Sequence, residues 1–165
     1  MKKTAIIYGS STGTCEAIAQ KICEKLGGGD VINVGELDAA QLADYDNLLL
    51  GTSTWGIGEL QDDWYDGVDK LKGADLSGKT IALFGCGDCQ SYGDSFCGAM
   101  AEIYDAVKDS GASIVGAVST DGYDFSDSAA VQDGKFVGLA LDDINEDDKT
   151  DARIDAWLAD ITPSL

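Results

Sequence analysis

Histidine is missing altogether from this 165-residue chain, and cations are scarce: 11 Lys and Arg stand against 30 Asp and Glu, a formal net charge of −19. Without imidazole there is no Ser-His-Asp triad, no Cys-His dyad, no zinc site with His ligands and no imidazole acid or base. Without a basic surplus the chain has no footprint for nucleic acid or an anionic membrane, since both are bound through positive charge. A single proline is present, and no Pro- or Ser-rich tract, repeat or low-complexity run marks a linker. Long hydrophobic runs are missing too. The first apolar stretch, Ala5-Ile6-Ile7-Tyr8, is too short for a signal-peptide core or a membrane span. Five cysteines (Cys15, Cys23, Cys86, Cys89 and Cys97) make an odd count in a chain above disulfide-scaffold size, so they read as reduced thiols of a cytoplasmic protein.

What is present suffices for a core. Hydrophobic residues make up 44% of the chain and three are Trp, so the acidity does not imply disorder. The length predicts one domain over residues 1–165. Within it, strand and helix patterns alternate. Thr4–Tyr8 reads as a buried strand. Cys15, Ile18, Ala19, Ile22, Cys23 and Leu26 follow at helical spacing, stopped by Gly27-Gly28-Gly29. Val31–Val34 is a short strand, Ala39–Leu42 a brief helix, and Asn47–Thr52 a third strand. Gln61–Lys72 is helical on Trp64, Val68 and Leu71, and Thr80–Phe84 is a fourth strand. Phe96, Met100, Ile103 and Val107 mark a helix ending near Gly111. Ser113–Val118 is a fifth strand, and Ile154, Trp157, Leu158 and Ile161 mark the last helix. Apolar strands alternating with amphipathic helices predict a parallel sheet covered on both faces. The polar segment Ser119–Gly134 breaks the alternation, because Lys135–Leu141 looks like another strand with no helix before it. It reads as an insertion that splits the edge strand.

In such a sheet ligands bind beyond the carboxyl ends of the strands. The loop after the first strand is Gly9-Ser10-Ser11-Thr12-Gly13-Thr14-Cys15-Glu16, running into a helix. Small residues, hydroxyls and free N–H groups at a helix N-terminus suit an anion. The spacing is neither G-x-G-x-x-G nor a P-loop, and no Lys or Arg lies between Lys3 and Lys21, so a phosphate here is held by N–H and O–H donors. A plain Ser/Thr cap is the other reading of this loop. After the third strand, Thr52-Ser53-Thr54-Trp55-Gly56-Ile57-Gly58-Glu59 places a Trp on a glycine-rich loop, either against a ligand or folded onto the core. After the fourth strand, Gly85-Cys86-Gly87-Asp88-Cys89-Gln90-Ser91-Tyr92 sets a second aromatic on the same edge. Two aromatics across a gap suit a flat ring between them.

These segments resemble one family closely. Gly9–Gly13, Gly51–Glu59, Phe84–Asp88 with Tyr92, and Thr120–Phe125 followed by Phe136–Ala140 are similar to flavodoxins over essentially the whole chain. The split fifth strand resembles the long-chain branch. The resemblance implies a flavodoxin-like three-layer α/β/α sandwich on a five-stranded parallel sheet of order 2-1-3-4-5, the family being a standard example of that order. It implies non-covalent FMN, with Ser10, Ser11, Thr12, Gly13, Thr14 and Cys15 at the phosphate. Trp55 and Tyr92 would stack on the two ring faces. Further cofactor contacts are implied at Thr52, Ser53, Thr54, Gly56, Ile57 and Gly58, and around Asp88 with Cys86, Gly87 and Cys97 at the pyrimidine edge. The Gly56–Ile57 peptide would flip to face the flavin N5–H, and a glycine lowers the cost of that flip. Cys15 stands where the family usually has Thr, and a thiol is a weaker donor. The implied activity is low-potential one-electron transfer, mainly between semiquinone and hydroquinone, by a carrier rather than an enzyme. The implied partners are basic-surfaced redox proteins, bound by a monomer.

The charge pattern fits. Full reduction places a negative charge beside a phosphate that no cation neutralises, with Glu59, Asp62, Asp63, Asp88 and Asp94 in or just beyond the ring-side loops. A unit charge about 10 Å away at an effective dielectric near 20 costs roughly 1.7 kcal/mol. That is roughly 70 mV per charge at about 59 mV per 1.4 kcal/mol. Asp62, Asp63, Asp66 and Asp69 together read as a docking face that steers basic partners. Asp142–Asp151 reads as a solvated loop and helix start.

Other readings fit less well. Cys86-Gly87-Asp88-Cys89 is a C-x-x-C, but Asp88 opposes a thiolate and more loop follows. Cys86, Cys89 and Cys97 lack a fourth metal ligand at usable spacing. A receiver module would need acidic residues where Ser10-Ser11 and Thr52-Ser53 stand. An FMN-dependent NAD(P)H oxidoreductase of the same fold needs a second anion site, and residues 52–63 and 85–96 hold no cation. Trp64 and Trp157 sit at apolar helical positions and read as core, with Phe84, Phe96 and Phe125 as packing.

Overall fold

A computed structural model describes residues 3–9, 13–55, 59–60, 62–87, 96–123, 125–143 and 145–165, with backbone alone for Trp55, Glu59 and Leu60. Strand β1 (Thr4–Gly9) is buried along its length and leads into helix α1 (Thr14–Leu26), which stops at the predicted glycine triplet. Strand β2 (Asp30–Asn33) follows, then two 3-10 turns, Val34–Glu36 and Ala39–Asp44. The second turn replaces the short helix expected over Ala39–Leu42. Its Asp38–Gln41 capping box is in place, but Leu42 is its one buried side chain, too little to anchor an α-helix.

Strand β3 (Asn47–Trp55) is the longest, and β4 (Glu59–Leu60) folds back on it antiparallel. Then come α2 (Asp63–Gly73), β5 (Thr80–Cys86) and α3 (Met100–Val107). The regular part of α3 begins at Met100, four residues after the expected start. Short strands β6 (Ser113–Val115), β7 (Val118–Ser119), β8 (Val131–Gln132), β9 (Lys135–Phe136) and β10 (Leu139–Leu141) precede α4 (Asp147–Ile161).

The sheet runs β2-β1-β3-β5-β10, its strands parallel, with β6 also on β5. The fifth position is therefore shared. β6 pairs with the first half of β5 at Thr80–Ala82, and β10 with the second half at Phe84–Cys86. Both strands expected near the insertion are shorter than the sequence pattern suggests. Ser113–Val118 breaks where Gly116 takes φ 88, against the indole of Trp157. Between the halves, β7, β9 and β8 form a small antiparallel sheet.

Period-two alternation explains the layers. Ala5, Ile7, Leu48, Leu50, Ile81 and Leu83 point to the face covered by α2 and α3, where Trp64, Leu71, Met100 and Ile103 pack. Ile6, Tyr8, Leu49, Ala82 and Phe84 point to the other face, under α1 and α4, against Ile18, Ile22, Ile154 and Trp157. Trp64 and Trp157 are buried as expected. Their indole N–H groups donate to Gly51 O at 2.6 Å and Gly116 O at 3.1 Å. Phe84 and Phe96 are also core, and Phe125 packs 5.1 Å from the Phe136 ring.

Candidate functional site

The carboxyl ends of β1, β3 and β5 lie side by side. Gly9 pairs with Thr52, Thr52 with Gly85, and Ser53 with Cys86. From β1 the chain passes through α1 to β2 on one side, and β3 lies on the other, so the strand order reverses here, the position at which open α/β sheets bind their ligands.

At the first loop, Ser10, Ser11 and Thr12 lie outside the described residues. Gly13 is the N-cap of α1, at φ 88, with no side-chain cap and nothing within 4 Å of where a Cβ would stand. A side-chain cap, the plainer of the two sequence readings, is thus not what Gly13 provides. The helix N-terminus offers backbone donors and the positive end of its dipole. Thr14 is half-buried, while Cys15 is fully buried in the cluster under α1. Contact with the thiol of Cys86, and then burial, hold the Cys15 thiol well above its usual pKa, so it stays neutral.

In the second loop, Thr52 is buried and its hydroxyl donates to Ser53 O at 2.8 Å. Ser53 and Thr54 are half-buried, and Thr54 Oγ1 accepts the Ala99 N–H at 3.3 Å, tying β3 to the approach to α3. The backbone of Trp55 pairs with Glu59. Its side chain, and Gly56, Ile57 and Gly58, lie outside the described residues. The β3–β4 pairing escaped the sequence reading, although a three-residue glycine-bearing connection is a hairpin signature.

In the third, Cys86 ends β5 almost fully buried, and the Gly87 N–H donates to Leu141 O at 2.9 Å. Cys97 is fully buried. Asp88, Tyr92 and Asp94, with Cys89 of the C-x-x-C, lie outside the described residues.

Beside these loops, α2 presents Asp62, Asp66 and Asp69 to solvent, together with Tyr65 at 51% exposure. Asp63 instead turns toward Gly35 and is half-buried. Asp66 meets Lys70 at 3.3 Å, an exposed pair that leaves the face acidic. The run from Asp142 to Asp151 differs from its expected solvated form at one end. Asp142 is fully buried, accepting the Asn145 backbone and side-chain N–H groups at 2.9 Å each. Two donors on one residue make that burial tolerable. Asp147 and Asp148 do occupy the exposed first turn of α4. Among the described residues no helix is long and apolar enough to cross a membrane.

The flavodoxin family model matches residues 6–157. Flavodoxin 1 of Azotobacter vinelandii is 48% identical, covering 96% of this chain and 95% of its own. The flavodoxin of a Picosynechococcus species is 44% identical, covering 100% and 99%. Among solved structures, Fusobacterium nucleatum flavodoxin bound to flavin mononucleotide superposes with a TM-score of 0.93 at 34% identity, over 100% of this chain and 99% of that one.

Proposed function

This chain belongs to the flavodoxin family, electron carriers rather than enzymes, and we propose that it holds FMN at the carboxyl edge of its sheet and passes single electrons to basic-surfaced redox proteins. The observation that carries this reading is the N-terminus of α1. It is capped by Gly13 with no side-chain cap, follows β1 at the reversal of strand order where Gly9 pairs with Thr52, and the sequence has no Lys or Arg between Lys3 and Lys21. Such a terminus fits a phosphate held by N–H and O–H donors.

Ser10, Ser11, Thr12, Gly13 and Thr14 hold the phosphate. Cys15 contributes its backbone N–H, since its thiol is buried against Cys86. Trp55 and Tyr92 cover the two faces of the ring system. Thr52, Ser53, Thr54, Gly56, Ile57 and Gly58 line one edge, and Asp88, with Cys86, Gly87 and Cys97, receives the pyrimidine side. The Gly56–Ile57 peptide would be the one to face the ring edge, and its glycine would make a change of peptide orientation there inexpensive. When bound, FMN supplies the one-electron chemistry that no side chain here provides. The protein's part is to bind, orient and surround it with negative charge, which lowers its affinity for electrons.

The acidic face of α2 docks basic partners beside the ring. The chain acts as a monomeric single domain in the cytoplasm. The test is reconstitution. The apoprotein mixed with FMN should turn yellow and take up electrons in two separated one-electron steps. A chain that stays colourless after exposure to FMN overturns the reading, and steady-state NAD(P)H oxidation by the pure holoprotein overturns the carrier role.

A further inference from the structure

Cys97 is one of two non-glycine residues with positive φ among those described, at φ 52, and the other is Asp133 in the insertion. A side chain in the left-handed region is held there only when its surroundings compensate. The surroundings are specific. The Cys97 thiol is fully buried, with its sulfur 3.7 Å from Gly85 O and 3.6 Å from Leu141 O. Those carbonyls belong to β5 and β10, which pair as Ala140 with Gly85 and Leu141 with Cys86. The Leu141 carbonyl also accepts the Gly87 N–H at 2.9 Å.

The thiol therefore sits where the ends of two paired strands meet the start of the loop that leaves β5. The chain returns along the same path. A Cβ at Gly87 would stand 2.8 Å from Cys97 N, 2.9 Å from the Phe96 ring and 3.0 Å from Cys97 Sγ. Gly87 and Cys97 are thus the two sides of one neck. Eight residues, 88–95, lie between Gly87 and Phe96 in sequence, and Asp88 and Tyr92 are among them. The return limb is fixed from the far side as well: Phe96 N–H donates to Asp127 O at 3.3 Å, and the Ser128 hydroxyl donates to Phe96 O.

We propose that Cys97 is a positioning residue for the flavin site. Its thiol and its left-handed backbone lock Gly87 and Phe96 against the strand edge, fixing the two described ends between which Asp88 and Tyr92 fall in sequence. This goes beyond the contact role proposed for Cys97 above, and it rests on that reading for what the loop holds. Burial raises the thiol's pKa, so Cys97 remains a neutral donor throughout the working range. Serine keeps a donor, alanine removes it, and glycine removes it while also relieving the backbone.

The experiment measures two things for wild type, Cys97→Ser, Cys97→Ala and Cys97→Gly. One is the FMN dissociation constant, from quenching of flavin fluorescence on adding apoprotein. The other is hydrogen exchange at the Gly87 amide in the apoprotein, beside its melting temperature. Cys97→Ala and Cys97→Gly should each weaken FMN binding about tenfold and speed Gly87 exchange at least tenfold. Cys97→Ser should stay within threefold of wild type in both. Cys97→Gly should melt no lower than Cys97→Ala, separating positioning from stability. Wild-type affinity and wild-type Gly87 exchange in Cys97→Ala overturn the proposal, as does a loss of affinity that follows melting temperature across all the variants. Should the alanine variant not fold, Cys97→Ser and Cys97→Gly decide it by the same two readouts. A wild-type protein that takes up no FMN defeats the flavin reading instead, and Gly87 exchange still decides whether the thiol locks the neck.

Discussion

The guanidinium carbon of Arg153 stands 4.0 Å from the ring centroid of Tyr123, and through this pair α4 holds the 119–134 insertion. Arg153 Nη2 donates to Gly122 O and to Glu146, each at 3.1 Å, and the Tyr123 hydroxyl donates to Ala140 O of β10 at 2.8 Å. One cation thus joins the insertion, the last helix and the edge of the sheet.

Removing that cation should loosen the insertion measurably. A partly desolvated cation–π contact is worth about 1–2 kcal/mol, and each hydrogen bond about 1 kcal/mol net. Arg153→Ala should therefore cost about 2–3 kcal/mol in urea unfolding of the apoprotein. Arg153→Lys should recover less than half, because an ammonium lacks the flat guanidinium that lies over the Tyr123 ring while its Nη2 reaches Gly122 and Glu146. Equal stability of the lysine variant and wild type would show that charge alone suffices.

Two tyrosines should titrate late. The hydrogen bond from Tyr45 to Asp30 pushes the Tyr45 hydroxyl up to about 12, and burial pushes Tyr123 up to about 12. A raised pKa means that the folded protein holds the proton more tightly than the unfolded chain. Their contribution to stability is therefore complete below pH 10 and is lost as pH rises from about 10 to about 12. Absorbance of ionised tyrosine should show a late-titrating component that shrinks by one residue in Tyr45→Phe and by one residue in Tyr123→Phe. A late component left unchanged by both substitutions would remove the idea.

What the sequence made legible follows the physics of each segment. Ala5-Ile6-Ile7-Tyr8 is apolar on both faces because both faces of the sheet are covered, so β1 and its place in the interior were readable. Phe96 misled. It stands four residues before Met100, at helical spacing, yet its ring belongs to a cluster with Tyr123, Phe125 and Phe136 rather than to α3. Spacing reports which residues are buried together, not which neighbour buries them. Asp142 lies in an acidic run that reads as solvated, and the residue that satisfies it in the interior, Asn145, is polar too, so the pattern does not reveal the burial. At the site, the small residues and hydroxyls of the first loop pointed to an anion. That the helix starts on a glycine with no side-chain cap needed the backbone of Gly13, which composition does not encode.

Gly51 should tolerate no side chain. It immediately precedes Thr52 in β3, and a Cβ there would lie 2.1 Å from the Phe84 ring. Phe84 is fully buried against Trp157, so its ring has no room to retreat. Gly51→Ala should destabilise by about 2–3 kcal/mol, the usual range for overpacking. Phe84→Leu in the same chain should recover part of that, since the added methyl group then meets a smaller side chain. Urea midpoints of the two single variants and the double variant check this. Strict additivity would mean that the strain lies elsewhere.

The acidic face of α2 gives the last prediction its sign. Asp62, Asp66 and Asp69 are exposed beside the proposed flavin edge, and they repel both an arriving electron and a like-charged partner. With the cofactor bound, replacing all three by Asn should raise the more negative midpoint potential by tens of millivolts. The sum lies below the roughly 70 mV per charge expected for unscreened neighbours about 10 Å away, because these carboxylates face solvent and are screened by salt. The same substitutions should slow electron transfer to a basic probe such as cytochrome c, several-fold at low ionic strength and hardly at all at 0.5 M salt, because steering acts on encounter and fades as the Debye length shrinks. Wild-type protein should lose rate over the same salt range until it meets the variant. A variant that transfers electrons as fast as wild type at low salt would show that partners approach another face. An unchanged potential with a changed rate would separate docking from the tuning of the cofactor.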